Sequence, residues 1–126
     1  MKYEGGCHCG AVKFEVEADE HLACVKCNCS ICAMTGFLHL IVPRSKFTLL
    51  SDKANLTVYR FNTGVAKHSF CSTCGIKSFY TPRSNPEGVD VNIRCLTPTP
   101  LSLNVSAFDG QRWEENAHSL AHLSQE

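Results

Sequence analysis

Cys24-Val25-Lys26-Cys27-Asn28-Cys29-Ser30-Ile31-Cys32 holds four of the chain's nine cysteines. Two more pairs flank it, Cys7-His8-Cys9 near the start and Cys71-Ser72-Thr73-Cys74 in the middle. Thiols crowded at such spacings serve metal binding, disulfides or redox chemistry. Nine is odd, so complete internal pairing is impossible. The opening Met1-Lys2-Tyr3-Glu4-Gly5-Gly6 is polar, so no signal peptide is expected. That points to a reducing, cytoplasmic setting, where stable disulfides are rare. Metal is therefore the preferred reading.

Cys7-x-Cys9 and Cys71-x-x-Cys74 each offer two thiolates on a tight turn. Gly5, Gly6 and Gly10 border the first and Gly75 follows the second, and a chain curling around an ion needs such residues. If the two turns meet, four thiolates form a closed tetrahedron, which is the form of a structural zinc site. Cys27-x-Cys29-x-x-Cys32 differs, since one hexapeptide supplies three thiolates. A three-ligand zinc with an open corner is what catalysis or substrate binding needs. Cys24 and Cys95 are the candidate fourth ligands that would close it, and spacing leaves open and closed forms both standing. An open, thiolate-rich zinc favours a soft ligand such as a substrate thiolate. Binding raises the ionised fraction of a thiol of pKa ~8.5 by up to ~30-fold, a modest gain that suits addition to a reactive aldehyde.

Other candidates are fewer. His39 is an acid/base or a fourth ligand, and His68 a hydrogen-bond donor to a thiolate of the nearby Cys71 turn. His8, between two ligands, is expected to point outward. Arg83, with Ser84 and Asn85, is a candidate carboxylate holder. No phosphate loop, Ser/His/Asp order or H-E-x-x-H is present.

The chain has 126 residues, the size of one domain, taken as 1–126. Lys plus Arg and Asp plus Glu each number 12, so formal net charge is zero. Nucleic acid and anionic membrane are therefore not expected partners. No apolar run approaches the roughly 20 residues of a membrane span. Val12, Phe14 and Val16 alternate as a half-buried strand over 11–17. Further strands are expected over 37–42, 47–50, 56–61, 89–95 and 101–105, while 66–70 leads into the Cys71/Cys74 turn and 78–80 leads out of it. The proline-rich 81–88 reads as a loop, and Ala117, Leu120 and Ala121 suggest a short helix within 114–126. The pattern is mainly β.

Gly6-Cys7-His8-Cys9-Gly10-x-Val12-x-Phe14, Cys27-Asn28-Cys29-Ser30-x-Cys32 and Phe70-Cys71-x-x-Cys74-Gly75 resemble the glutathione-dependent formaldehyde-activating enzyme / centromere protein V family. Phe61-Asn62-Thr63, 78–86, Cys95-Leu96 and Trp113-Glu114 bring the chain closest to the centromere protein V branch. The resemblance implies a β-tent, several small coiled antiparallel sheets around zinc. It implies two zinc ions per chain, one structural on Cys7, Cys9, Cys71 and Cys74. The second, on Cys27, Cys29 and Cys32, would be catalytic, with the substrate thiol as fourth ligand. The implied activity is carbon–sulfur lyase chemistry on glutathione and formaldehyde, giving S-(hydroxymethyl)glutathione. Ala33 stands where many members carry a basic residue, which weakens an assumed carboxylate clamp. Centromere protein V carries a long basic extension before this domain; none is expected here, and a chromosome or microtubule role is not expected either. The alternatives are a zinc-stabilised binding module closed by Cys24 or Cys95, and a redox switch over Cys24, Cys27, Cys29 and Cys32.

Overall fold

Apolar residues at every second position build the sheets. The computed structural model describes residues 1–98 and 100–125. Strands β1 (Lys2–Gly6), β2 (Lys13–Glu17), β5 (Phe47–Leu49) and β10 (Leu96–Thr97) form an antiparallel sheet in the order β10-β1-β2-β5. A second sheet has the order β11-β3-β4-β9-β8. Its strands are β3 (His21–Cys27), β4 (Leu38–Pro43), β8 (Phe79–Tyr80), β9 (Gly88–Asn92) and β11 (Ser102–Phe108). β6 (Leu56–Tyr59) and β7 (His68–Cys71) pair as a separate antiparallel ribbon. The expected fold, mainly β in several small sheets, is observed. One pairing departs from it: β3 and β11 run parallel, with Ser102 opposite His21 and Phe108 opposite Cys27.

The core lies between the two larger sheets. Val12, Phe14 and Val16 are buried on one face, as the alternation predicts. Phe14 meets Phe47 at 5.0 Å and Phe79 at 5.6 Å between ring centroids, which joins the sheets. The Phe14 ring also lies over Gly5, where a Cβ would come within 2.6 Å of it. From the five-stranded sheet, Leu22, Cys24, Leu40, Val42, Val89 and Val91 face this core. Residues of opposite parity in β3, β4 and β9 face the other way. This second face carries the site.

Local structure departs from the sequence reading at three places. The 24–32 stretch is a strand end followed by helix α1 (Ser30–Thr35), closed by Gly36 in the left-handed region at φ 65°. The strand expected over 89–95 stops at Asn92, whose side chain accepts from Arg94 N–H at 3.1 Å. That local bond turns 93–95 into a 3₁₀ turn. The tail is a single α turn, α2 (Trp113–Asn116), and then a 3₁₀ segment over Ala117–Ser124, with Glu126 outside the described residues.

Asn85, fully buried, holds that tail: its Nδ2 donates to Leu120 O at 2.9 Å, Ala121 O at 3.1 Å and Ser124 Oγ at 2.8 Å. Asn85→Ala strands these acceptors and is expected to cost about 2 kcal/mol. Chemical denaturation measures the loss, and hydrogen exchange should speed up selectively over 117–124.

Candidate functional site

Two sulfur clusters form among the described residues. The first joins Cys7 and Cys9, in the β1–β2 connection, with Cys71 and Cys74 at the end of β7. Cys9 Sγ lies 3.6 Å from Cys7 Sγ and 3.6 Å from Cys71 Sγ. A tetrahedron with metal–sulfur bonds of about 2.3 Å has sulfur–sulfur edges of about 3.8 Å, so the spacing fits an ion of that kind. Backbone donors complete the fit. Val12 N–H points at Cys7 Sγ at 3.2 Å, and Thr73 and Cys74 N–H at Cys71 Sγ at 3.4 Å. The N–H groups of Cys9 and Ile76 hold the Cys74 thiol down to about 6, and that of Cys74 lowers Cys71. Gly75, at φ 78°, supplies the left-handed turn that bends the chain back.

The second cluster is Cys27, Cys29 and Cys32, with all three sulfurs within 4.8 Å of one another. Cys27 ends β3, Cys29 caps α1, and Cys32 lies one helical turn on, so Cys29 and Cys32 share a helix face. Hydrogen bonds from Cys27 and Cys32 hold the Cys29 thiol down to about 2, while the same contacts push Cys27 and Cys32 up. Three sulfurs compete for one negative charge, a conflict that a bound cation removes. Gly110 closes one side. A Cβ there would collide with Cys27 Sγ and come within 2.8 Å of Cys29 Cβ. Asn28 anchors that loop, donating to Asp109 Oδ1 at 3.1 Å and accepting from Gln111 N–H at 3.1 Å.

Neither candidate fourth ligand joins this cluster. Cys24 is three residues from Cys27 on one strand, so the two point to opposite faces, and Cys24 is buried in the core. Cys95 lies toward the first cluster, since burial and then its neighbours Cys7 and Cys74 push its thiol up. The structure thus brings together all seven proposed ligands and leaves both alternates apart.

The second cluster opens on a cleft of about 450 Å³, bordered by His39, His68, Tyr80, Asp90, Arg83 and Trp113. His39 Nδ1 is 2.6 Å from Asp90 Oδ2, both residues being buried. His68 is here too, not beside the Cys71 turn as expected; three residues along β7, it points away from Cys71. It stacks between Phe61 at 5.2 Å and Tyr80 at 4.9 Å, and its Nδ1 lies 2.8 Å from Lys77 Nζ. Burial, then the Lys77 charge, pushes His68 down to about 4, and burial lowers Lys77. His8 is exposed, as expected. Arg83 stacks on Trp113 at 3.9 Å and pairs with Glu114 at 2.7 Å. Of its expected companions, Asn85 is committed to the tail, and Ser84 donates to Asn85 Oδ1 at 2.7 Å.

The family model described as glutathione-dependent formaldehyde-activating enzyme matches residues 2–113. The chain belongs to this family. A Halomonas elongata protein that carries the same enzyme name provisionally is 29% identical over 82 residues, covering 59% of this chain and 52% of its own length. The chain thus spans about half the length of that curated relative. A crystal structure of a Rhodobacter sphaeroides protein is 37% identical, covers 82% of this chain and all of the other, and has a TM-score of 0.68. Among the described residues, no helix is long and apolar enough to cross a membrane.

Asp90, Tyr80, Lys77 and Gly110 escaped the sequence reading. The one available signal was a carboxylate inside the apolar run Val89-Asp90-Val91.

Two substitutions separate the clusters. Cys71→Ser is expected to abolish folding, because the four-sulfur site links distant strands and its metal-linked stabilisation is of order 10 kcal/mol. Cys29→Ser is expected to leave a folded chain with one metal, as circular dichroism and elemental analysis would show. Gly110→Ala should weaken only the second metal by about 10- to 100-fold in chelator competition.

Proposed function

We propose that the chain is a zinc-dependent carbon–sulfur lyase that makes and cleaves S-(hydroxymethyl)glutathione-type adducts from a glutathione-like thiol and formaldehyde. One observation carries the reading. Three sulfurs of one hexapeptide face a ligand-sized cleft, and no fourth protein ligand joins them among the described residues. Membership of the formaldehyde-activating family supports the substrate pair. Cys7, Cys9, Cys71 and Cys74 would hold a structural zinc, and Cys27, Cys29 and Cys32 the active-site zinc. When bound there, that ion supplies positive charge that favours the ionised form of an incoming thiol. Residues 1–126 are read as one domain of a reducing, cytoplasmic setting. Within the family we place the chain nearest the centromere protein V branch as a proposal from its sequence motifs, and this adds no separate activity.

The chain's own groups do the positioning. Arg83 offers a guanidinium already flattened on Trp113, and its partner Glu114 is mostly exposed. An exposed ion pair contributes little, so a substrate carboxylate can replace Glu114 at small cost. Phe61, Ile41 and Phe108 give the cleft apolar walls. They limit the room for water around the reacting thiol and help hold the reactants together, the main source of acceleration when the aldehyde is already reactive. The non-catalytic module is disfavoured because Cys24 and Cys95, the thiols it needs, lie elsewhere.

Calorimetry with the metal-loaded protein tests the reading. Glutathione is expected to bind at least about 10-fold more tightly than its analogue with serine in place of cysteine. Exchange NMR with ¹³C-formaldehyde should show faster interconversion of glutathione and its hydroxymethyl adduct. Equal binding of the two peptides, or no acceleration, overturns the proposal.

A further inference from the structure

His39 and Asp90 face the cleft for reasons of register. In the β4–β9 pairing His39 stands opposite Asn92, and Asp90 two residues away lies on the same face, in the diagonal position where side chains meet. The Nδ1 to Oδ2 distance of 2.6 Å joins two side chains that are 5% and 1% exposed. A carboxylate offers only acceptors, so Nδ1 carries a hydrogen, and in the neutral imidazole the lone pair is on Nε2. Phe37 packs on the ring at 4.6 Å, and the Tyr80 hydroxyl lies 3.4 Å from Nδ1. Ring orientation and tautomer are both held.

His39 Nε2 is buried, and among the described residues no protein group hydrogen-bonds to it. Buried polar atoms without a partner are rare, and one in a cleft shared with the three-sulfur cluster points to a ligand. It is not a metal ligand in this arrangement, because neither His39 nitrogen joins the cluster in which all ligand atoms lie within 4.8 Å of one another. It lines the same cleft as Cys27, Cys29 and Cys32.

Resting on the carbon–sulfur reading above, we propose that His39 Nε2 carries the proton in the cleft, moving it from the substrate thiol to the aldehyde oxygen. As the thiol S–H bond breaks, its proton goes to Nε2. The sulfur pair forms the new carbon–sulfur bond, the carbonyl π pair moves to oxygen, and that oxygen takes the proton back from Nε2. Imidazole ends neutral, as it began, with no oxidant or reductant involved. Cleavage runs the same steps in reverse. Asp90 is a positioning residue, holding the tautomer that leaves Nε2 bare.

His39→Gln tests this in the metal-loaded protein. Two metals per chain are expected, with the NMR-measured exchange rate lower by about 10²–10⁴-fold, the range for a lost proton-transfer group. Imidazole added to His39→Ala should restore part of the rate. Unchanged exchange in His39→Gln overturns the assignment, and so does loss of the second metal, which would make His39 a ligand. A wild type that fails to accelerate exchange sinks the lyase reading and this proposal with it, a different outcome from an active wild type with an equally active variant. ¹⁵N NMR of the wild type covers the case of misfolded variants. At a pH where free Nε2 is bare, glutathione alone should protonate it, and an Nε2 still bare with glutathione bound overturns the proposal.

Discussion

Strict alternation across the five-stranded sheet is the constraint on which the rest depends. β3, β4 and β9 each send one parity into the apolar core and the other into the cleft. Leu22 and Cys24 oppose Cys27; Leu40 and Val42 oppose His39 and Ile41; Val89 and Val91 oppose Asp90. A one-residue slip of β4 would exchange these sets, burying His39 among aliphatic side chains and putting Leu40 beside the sulfurs. Packing against the four-stranded sheet, through Phe14, Phe47 and Phe79, therefore also sets the chemistry of the opposite side.

The two sulfur clusters do different physical work. The four-sulfur site closes across 62 residues between Cys9 and Cys71, so an ion there would tie the β1–β2 connection to the end of β7. Its thiolates meet backbone N–H groups, which lower the cost of negative charge. The three-sulfur site closes within one hexapeptide and ties nothing distant together. What it has is the cleft, and Gly110 against its back, where no side chain fits.

Two buried polar pairs reach the cleft through His68 and His39, at a cost the fold has to meet. Lys77 beside His68 places a cation against an imidazole that burial keeps neutral, and the Tyr80 ring lies 3.8 Å from Nζ. His39 with Asp90 is the other pair, and each keeps one atom without a protein partner among the described residues. Removing charged groups from water is unfavourable unless every lone pair and proton is used. Leaving His39 Nε2 and Asp90 Oδ1 unused is a local flaw in stability that makes sense where a ligand is handled.

Much was legible in the sequence because much is local. Cysteine spacing marked both sulfur clusters, the first with its flanking glycines, and period-two patterning marked most strands. Arg83 read as free to clamp a carboxylate because its rim partner, Glu114, is 31 residues away. Which of Cys24, Cys95 and His39 would reach the three-sulfur site was not legible, since spacing counts residues and not faces. Strand parity turned Cys24 into the core, a hydrogen bond from Arg94 to Asn92 ended β9 early, and register alone set Asp90 beside His39. The sequence by itself determined which atoms can bind metal and which residues prefer to be buried, because both follow from side-chain chemistry and short-range periodicity. Tertiary structure alone decided which polar groups share the cleft, because strand pairing between distant segments sets the face each one occupies.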